Sequence, residues 1–225
     1  MKFSSRTTLL GSTVLGSTLL ALLAASCVDT GGRSRGSLDD GLLQFVDSAA
    51  KQEVQNARVV HMEAKDERAA AKYRVQHADG DRRVLIAEKR AATARVKLER
   101  ERVAAMTDVE TGTEASPEAQ AALTDAARDL KAAENRIELH EAELDVLRAE
   151  LDLARAEEAH AEAVVDVWKA RALKSLNNEQ SGPIDIFAYE SEEHDCGTEI
   201  EITKIRLWST QSKVQTLKER LANGE

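Results

Sequence analysis

Residues 116–176, SPEAQAALTDAARDLKAAENRIELHEAELDVLRAELDLARAEEAHAEAVVDVWKARALKSL, decide the fold. Ser116, Pro117 and Glu118 open the stretch as an N-cap, a first helical residue with a preset φ, and an acidic group in the first turn. Two rows then repeat every seven residues. One is Leu123, Leu130, Ile137, Leu144, Leu151, Glu158, Val165 and Ala172. The other is Ala119, Ala126, Ala133, His140, Leu147, Ala154, Ala161 and Trp168. A seven-residue repeat split four and three keeps one stripe facing a partner helix, which is coiled-coil periodicity.

The chain before this stretch carries the same period. Residues 38–107 contain no proline. Ser37, Asp39 and Asp40 offer a helix start near Leu38. One row is Ala50, Ala57, Ala64, Ala71, Ala78, Leu85 and Ala92; a second is Val54, His61, Arg68, Val75, Arg82, Lys89, Val96 and Val103. Half of the second row is polar. Gly80 is the one weak helix former near the middle, at about 1 kcal/mol. Val109, Thr111, Gly112 and Thr113 then break the period.

Charge predicts which helices pair. Residues 51–107 hold 14 basic and 9 acidic side chains, whereas residues 117–176 hold 8 basic and 14 acidic. Oppositely charged arms joined by a short loop favour an antiparallel pair closing on itself over two like-charged copies. With the turn near Gly112, residues whose numbers sum to about 224 should lie level. The arms should reach roughly 90–105 Å at 1.5 Å per residue.

Residues 177–183, NNEQSGP, end the second arm. A short apolar patch with Phe187 and Tyr189 and an acidic run ending in Cys196 and Gly197 read as a loop, 177–198. A C-terminal helix over 199–225 follows, with Ile200, Leu207, Val214, Leu217 and Leu221 near one face. The expected fold is all-α: a long antiparallel two-helix coiled-coil hairpin over 38–176, its tip near 108–116, with a shorter third helix of roughly 35 Å packed at its base.

The N-terminus carries a different signal. Lys2 and Arg6 precede an uncharged run, residues 7–26, that closes on Leu23, Ala24, Ala25, Ser26 and Cys27. This layout resembles the lipobox signal of bacterial lipoproteins. Ala24 departs from it, standing where leucine is commoner. The resemblance implies a signal peptide over 1–26, lipidation of Cys27 and a palmitate-type acyl anchor. Residues 27–37 then read as a flexible tether, rich in Gly and Ser. Val28 stands where aspartate would imply retention at the inner membrane, so the resemblance implies a lipid-anchored, periplasm-facing protein of the outer membrane, the inner or plasma membrane being the alternative.

Composition narrows the function. Without Lys2 and Arg6 the chain has 29 basic and 40 acidic residues, which disfavours nucleic acid and anionic lipid surfaces as partners. With Cys27 lipidated, Cys196 is the one thiol left; it reads as an incidental surface cysteine rather than an inter-chain disulfide. Glu157 and His160 form a single Glu-x-x-His, where helical di-metal sites need two. His194, Asp195 and Cys196 lack the second ligand pair of a zinc site. His140 in a core row reads as a polar residue fixing register. No phosphate-binding glycine loop or nucleophile elbow occurs. Catalytic residues, cofactors and metals are therefore not expected. The expected function is a membrane-anchored structural spacer or protein-docking rod, with an unidentified envelope protein as partner and a homo-oligomer as an option. An accessory or adaptor-like part of an envelope transport or efflux assembly, docking through the hairpin tip, is the alternative. Murein lipoproteins are the nearest analogue in architecture, but the chain ends in Asn223, Gly224 and Glu225, so linkage to peptidoglycan through a terminal lysine is not expected.

Overall fold

A 3₁₀ turn, Asp40–Phe45, leads into three helices in the computed structural model: α1 (Ser48–Met106), α2 (Pro117–Lys174) and α3 (Ile186–Ala222). The structure describes residues 38–107, 115–176 and 184–223, all within one compact unit. The expected signal peptide, Cys27 and the expected tether lie outside the described residues, as do most of the expected tip and residues 177–183. No strand occurs among the described residues.

The two arms close on each other as their charges predict. Arg74 faces Glu150 at 3.5 Å, Arg82 faces Glu141 at 2.8 Å, Lys89 faces Glu134 at 3.2 Å and Arg95 faces Asp129 at 2.7 Å. Arg136 on α2 reaches back to Glu88 at 3.1 Å. These pairs sum to about 224, so the arms run level and antiparallel. At 59 and 58 residues, each arm spans about 87 Å.

Three of the four polar residues in the second α1 row, Arg68, Arg82 and Lys89, make ion pairs across the hairpin. Arg68 donates to Glu158, the acidic exception on α2, at 2.7 Å, and Glu158 is 9% exposed. Arg82 and Lys89 pair as above. The head of each long side chain thus meets a carboxylate on the facing arm. The small residues between them bring the helices close: Ala57, Ala71 and Ala78 on α1 and Ala119, Ala126, Ala133 and Ala154 on α2 are buried. His140 sits in the same seam, where its Nε2 lies 2.8 Å from the carbonyl oxygen of Ala78 and completes a cross-helix contact.

The helix starts differ from expectation at two places. Helix α1 begins at Ser48, not near Leu38. Asp47 caps it by accepting from the Ala50 N–H at 2.8 Å, while Val46 is extended. The extended residue turns the chain so that Val46 joins Val54, Ala172 and Leu173 in a buried cluster, with Leu38, Leu42, Leu43, Trp168 and Ile184 around it. The turn therefore folds over the base of the hairpin as a plug. Helix α2 starts where the sequence says, with the Ser116 hydroxyl accepting from the Ala119 N–H at 3.3 Å. Glu118 keeps a carboxyl pKa below its ordinary value through its backbone hydrogen bond and the Ser116 hydroxyl.

Helix α3 corrects the loop expected over 177–198. It begins at Ile186 and has 37 residues, about 55 Å. Its inner row, Tyr189, Cys196, Thr203 and Val214, is buried and continues the heptad of the C-terminal helix backward through the acidic run. The acidic residues sit on its other faces, which is why composition alone resembles a loop. Cys196 is 6% exposed, so it is a seam residue and not the surface cysteine expected. Helix α3 packs along α2 antiparallel to it, with Arg171 on Glu190 at 2.7 Å near the base and Lys218 on Glu143 at 3.0 Å far along. Arg220 also pairs with Glu138.

On α2 the residues buried under α3, Ala156, Ala163, Val167 and Ala170, lie half a turn round from those buried under α1, Ala154, Ala161, Val165 and Ala172. The base half is therefore a flat layer with α2 in the middle. Among its glycines, Gly80 on α1 has nothing within 4 Å of where a Cβ would stand. Gly80→Ala should stabilise the chain by about 1 kcal/mol. Its denaturation midpoint should rise with an unchanged slope.

Candidate functional site

Because α1 and α3 flank α2 on opposite sides, one long edge of α2 is left open between them near the base. The open edge forms a trough of about 620 Å³. Ala161, Val164 and Trp168 of α2 make its floor, Ala57, Val60 and Ala64 of α1 one wall, and Ile200 of α3 the other. Glu53, Glu63 and Glu67 on α1 and Glu157 on α2 line it too, and among the described residues no Lys or Arg does. An apolar floor with acidic edges suits the basic-edged apolar face of a partner helix.

Trp168 is held at the trough's lower end. The Arg171 guanidinium lies 5.2 Å from its ring centroid, a cation–π geometry, and the same guanidinium pairs with Glu190. Below it, Asp40 of the plug accepts from Arg58 at 2.8 Å and lies 3.0 Å from the Lys169 ammonium. The Lys169 hydrogen bond, aided by Arg58, holds the Asp40 carboxyl below its ordinary range despite some desolvation. These contacts tie the plug to both arms.

The residues singled out in the sequence are dispersed by the fold. Glu157 and His160 both line the trough, but His160 Nε2 is engaged by Glu193 of α3 at 3.3 Å. Glu158 faces the other way, into the α1 seam. His194 and Asp195 are exposed while Cys196 is buried, because consecutive helical residues point about 100° apart. The three side chains therefore do not converge. Among the described residues, no group of three or more His, Cys, Asp or Glu is placed to hold a metal ion. Val109, Thr111, Gly112 and Thr113, the tip residues proposed for docking, lie outside the described residues, and so does Cys27. Among the described residues, no helix is long and apolar enough to cross a membrane.

The trough itself was not anticipated. Its one sequence signal is a further alanine row, Ala149, Ala156, Ala163 and Ala170, on the opposite face of α2 from the hairpin seam. Two such rows on one helix imply two partner helices and hence an open edge between them. Compared with protein-family models, curated proteins and solved structures, the chain shows no match.

Proposed function

We propose that this chain is a membrane-anchored envelope lipoprotein whose hairpin acts as a spacer or protein-docking rod. The observation that carries the reading is the pairing of two arms of 59 and 58 residues by level ion pairs along their length. Such a rod holds its two ends a fixed distance of about 87 Å apart. A compact enzyme core gathers side chains in a cleft; a rod gathers nothing but offers distance and surface. The lipobox-like Cys27 gives the anchor. The described chain starts at Leu38, beside the base cluster, so the base is the end of the hairpin joined to the proposed anchor. The acidic-edged trough, near the base, is the surface offered to a partner protein.

Replacing the acyl acceptor tests the reading. Cys27→Ser in the native cell should abolish incorporation of labelled palmitate and move the protein from the membrane to the soluble fraction, or leave it unprocessed at higher mass. Unchanged mature mass together with unchanged membrane partitioning would refute the anchor. A photo-crosslinking residue at Val60 in the trough should capture a discrete envelope protein in the same cells. Capture of no protein at all there would remove the docking surface.

A further inference from the structure

The face of α3 turned away from α2 is a second, separate surface. Thr198, Ile202, Ile205, Ser209, Ser212 and Thr216 recur along it at alternating intervals of four and three residues, and none is charged. Ile205 is 67% exposed, and Trp208 beside it 71% exposed. That spacing is the seam of a coiled coil, here without an occupant.

Charge names the occupant. Residues 186–203 of α3 hold six acidic side chains and no Lys or Arg; residues 204–222 hold five basic and one acidic. Compensation of the helix dipole does not account for this, because that effect acts only over the first and last turn. The sign changes at the helix midpoint, since α3 runs from 186 to 222. Glu190, Lys218 and Arg220 are engaged by α2, but Asp195 and Glu199 stand before the midpoint and Arg206 and Lys213 after it. An antiparallel copy sets these opposite charges near one another and a parallel copy sets like charges level, which is how flanking charges select orientation.

We propose that the outer face of α3 pairs antiparallel with α3 of a second copy, about a twofold axis between Thr203 and Lys204. In this register Ile202 lies level with Ile205 of the second copy, and the four isoleucines make the centre. Asp195 meets Lys213 of the second copy, and Glu199 meets Arg206, each twice. Asp195, Arg206 and Lys213 are exposed, and within the chain they make no ion pair among the described residues. The overlap covers the full helix, a strip of about 55 Å by 10 Å or about 550 Å², smaller than the ~800 Å² per partner of a standard interface, so the flanking charges add what the contact area lacks. The dimer carries two hairpins side by side, pointing in opposite directions with their bases at opposite ends, and leaves both troughs open. Two copies anchored in one membrane make it with their rods lying along the surface.

Sedimentation of the purified full chain at micromolar concentration tests it. The wild type should sediment as a dimer. Ile205→Glu should weaken association by about thirtyfold or more, as for a central interface residue, with its circular dichroism unchanged because the site is exposed. Asp195→Lys should weaken it several-fold, and adding Lys213→Asp to that variant should restore it. A wild type that stays monomeric overturns the proposal. A dimer indifferent to Ile205→Glu, or one weakened by Asp195→Lys and not restored by the second swap, overturns it too, because pairing would then use another surface or another register. Neither outcome bears on the membrane anchor, which the Cys27 variant tests alone.

Discussion

Leu173→Ala should lower the unfolding free energy by about 2–5 kcal/mol, the range for truncating a buried leucine. Leu173 is 2% exposed and lies where the plug, α1 and α2 meet, against Val46, Val54 and Ala172. Its loss leaves a cavity that cannot collapse easily, because three separate segments line it. The Lys169 and Arg58 contacts to Asp40 hold the plug in place around that cavity and so limit relaxation. Urea denaturation should show the drop as a lower midpoint, and amide exchange should rise first in residues 38–54. Leu98→Ala, at a residue 61% exposed, should change stability by less than about 0.5 kcal/mol. Equal costs at the two positions would mean that the base cluster is not the core of this fold.

The second large effect comes from adding volume. Ala71 is 1% exposed and packs on Leu151 and Ala154. Ala71→Phe inserts a ring where the helices are in close contact. It should cost about 1–3 kcal/mol or more. The damage should extend to the ion pairs on either side, Arg68 with Glu158 at 2.7 Å and Arg74 with Glu150 at 3.5 Å, because the arms must part to admit the ring. Lys97→Phe puts the same ring on a side chain 80% exposed and should be tolerated to within about 0.5 kcal/mol. Thermal melts of the two variants make the comparison directly. Equal melting temperatures would show that the small-residue seam is not closely packed.

Much of the hairpin is legible before any coordinates. The alternating rows on both arms mark which residues turn inward. The net charges of opposite sign select self-closure. The break after Met106 and the Ser116 cap set the turn, and the turn sets the register that Lys89–Glu134 and Arg95–Asp129 then display. Three of the four polar members of the α1 row are explained once the register is known: Arg68 lands opposite Glu158, Arg82 opposite Glu141 and Lys89 opposite Glu134, whereas His61 has a buried Nε2 with no hydrogen-bond partner among the described residues. What composition conceals is α3 between Ile186 and Glu199. There an acidic run and a Cys-Gly pair suggest a loop, yet Tyr189, Cys196 and Thr203 keep helical spacing and are buried. Periodicity outweighs composition because packing of one face, more than intrinsic propensity, stabilises a helix. Gly197 fits for the same reason: a Cβ there would stand 3.7 Å from His160, an ordinary contact, so the seam has no need to exclude that part of α3.

The sequence by itself determined the all-helical class, the closed hairpin and its register, because heptad spacing and charge are written along each arm and need only a turn to bring them together. The tertiary structure decided the rest. Helix α2 carries one small-residue row on each of two opposite faces, and the rows do not say which partner takes which face or whether the partners also touch each other. The hairpin turn commits one face to α1. Helix α3 returning from the base covers the other, and the open edge left between them becomes the trough. That edge exists only because two helices on opposite sides of a third are too far apart to meet, a fact of geometry that no single stretch of the chain contains.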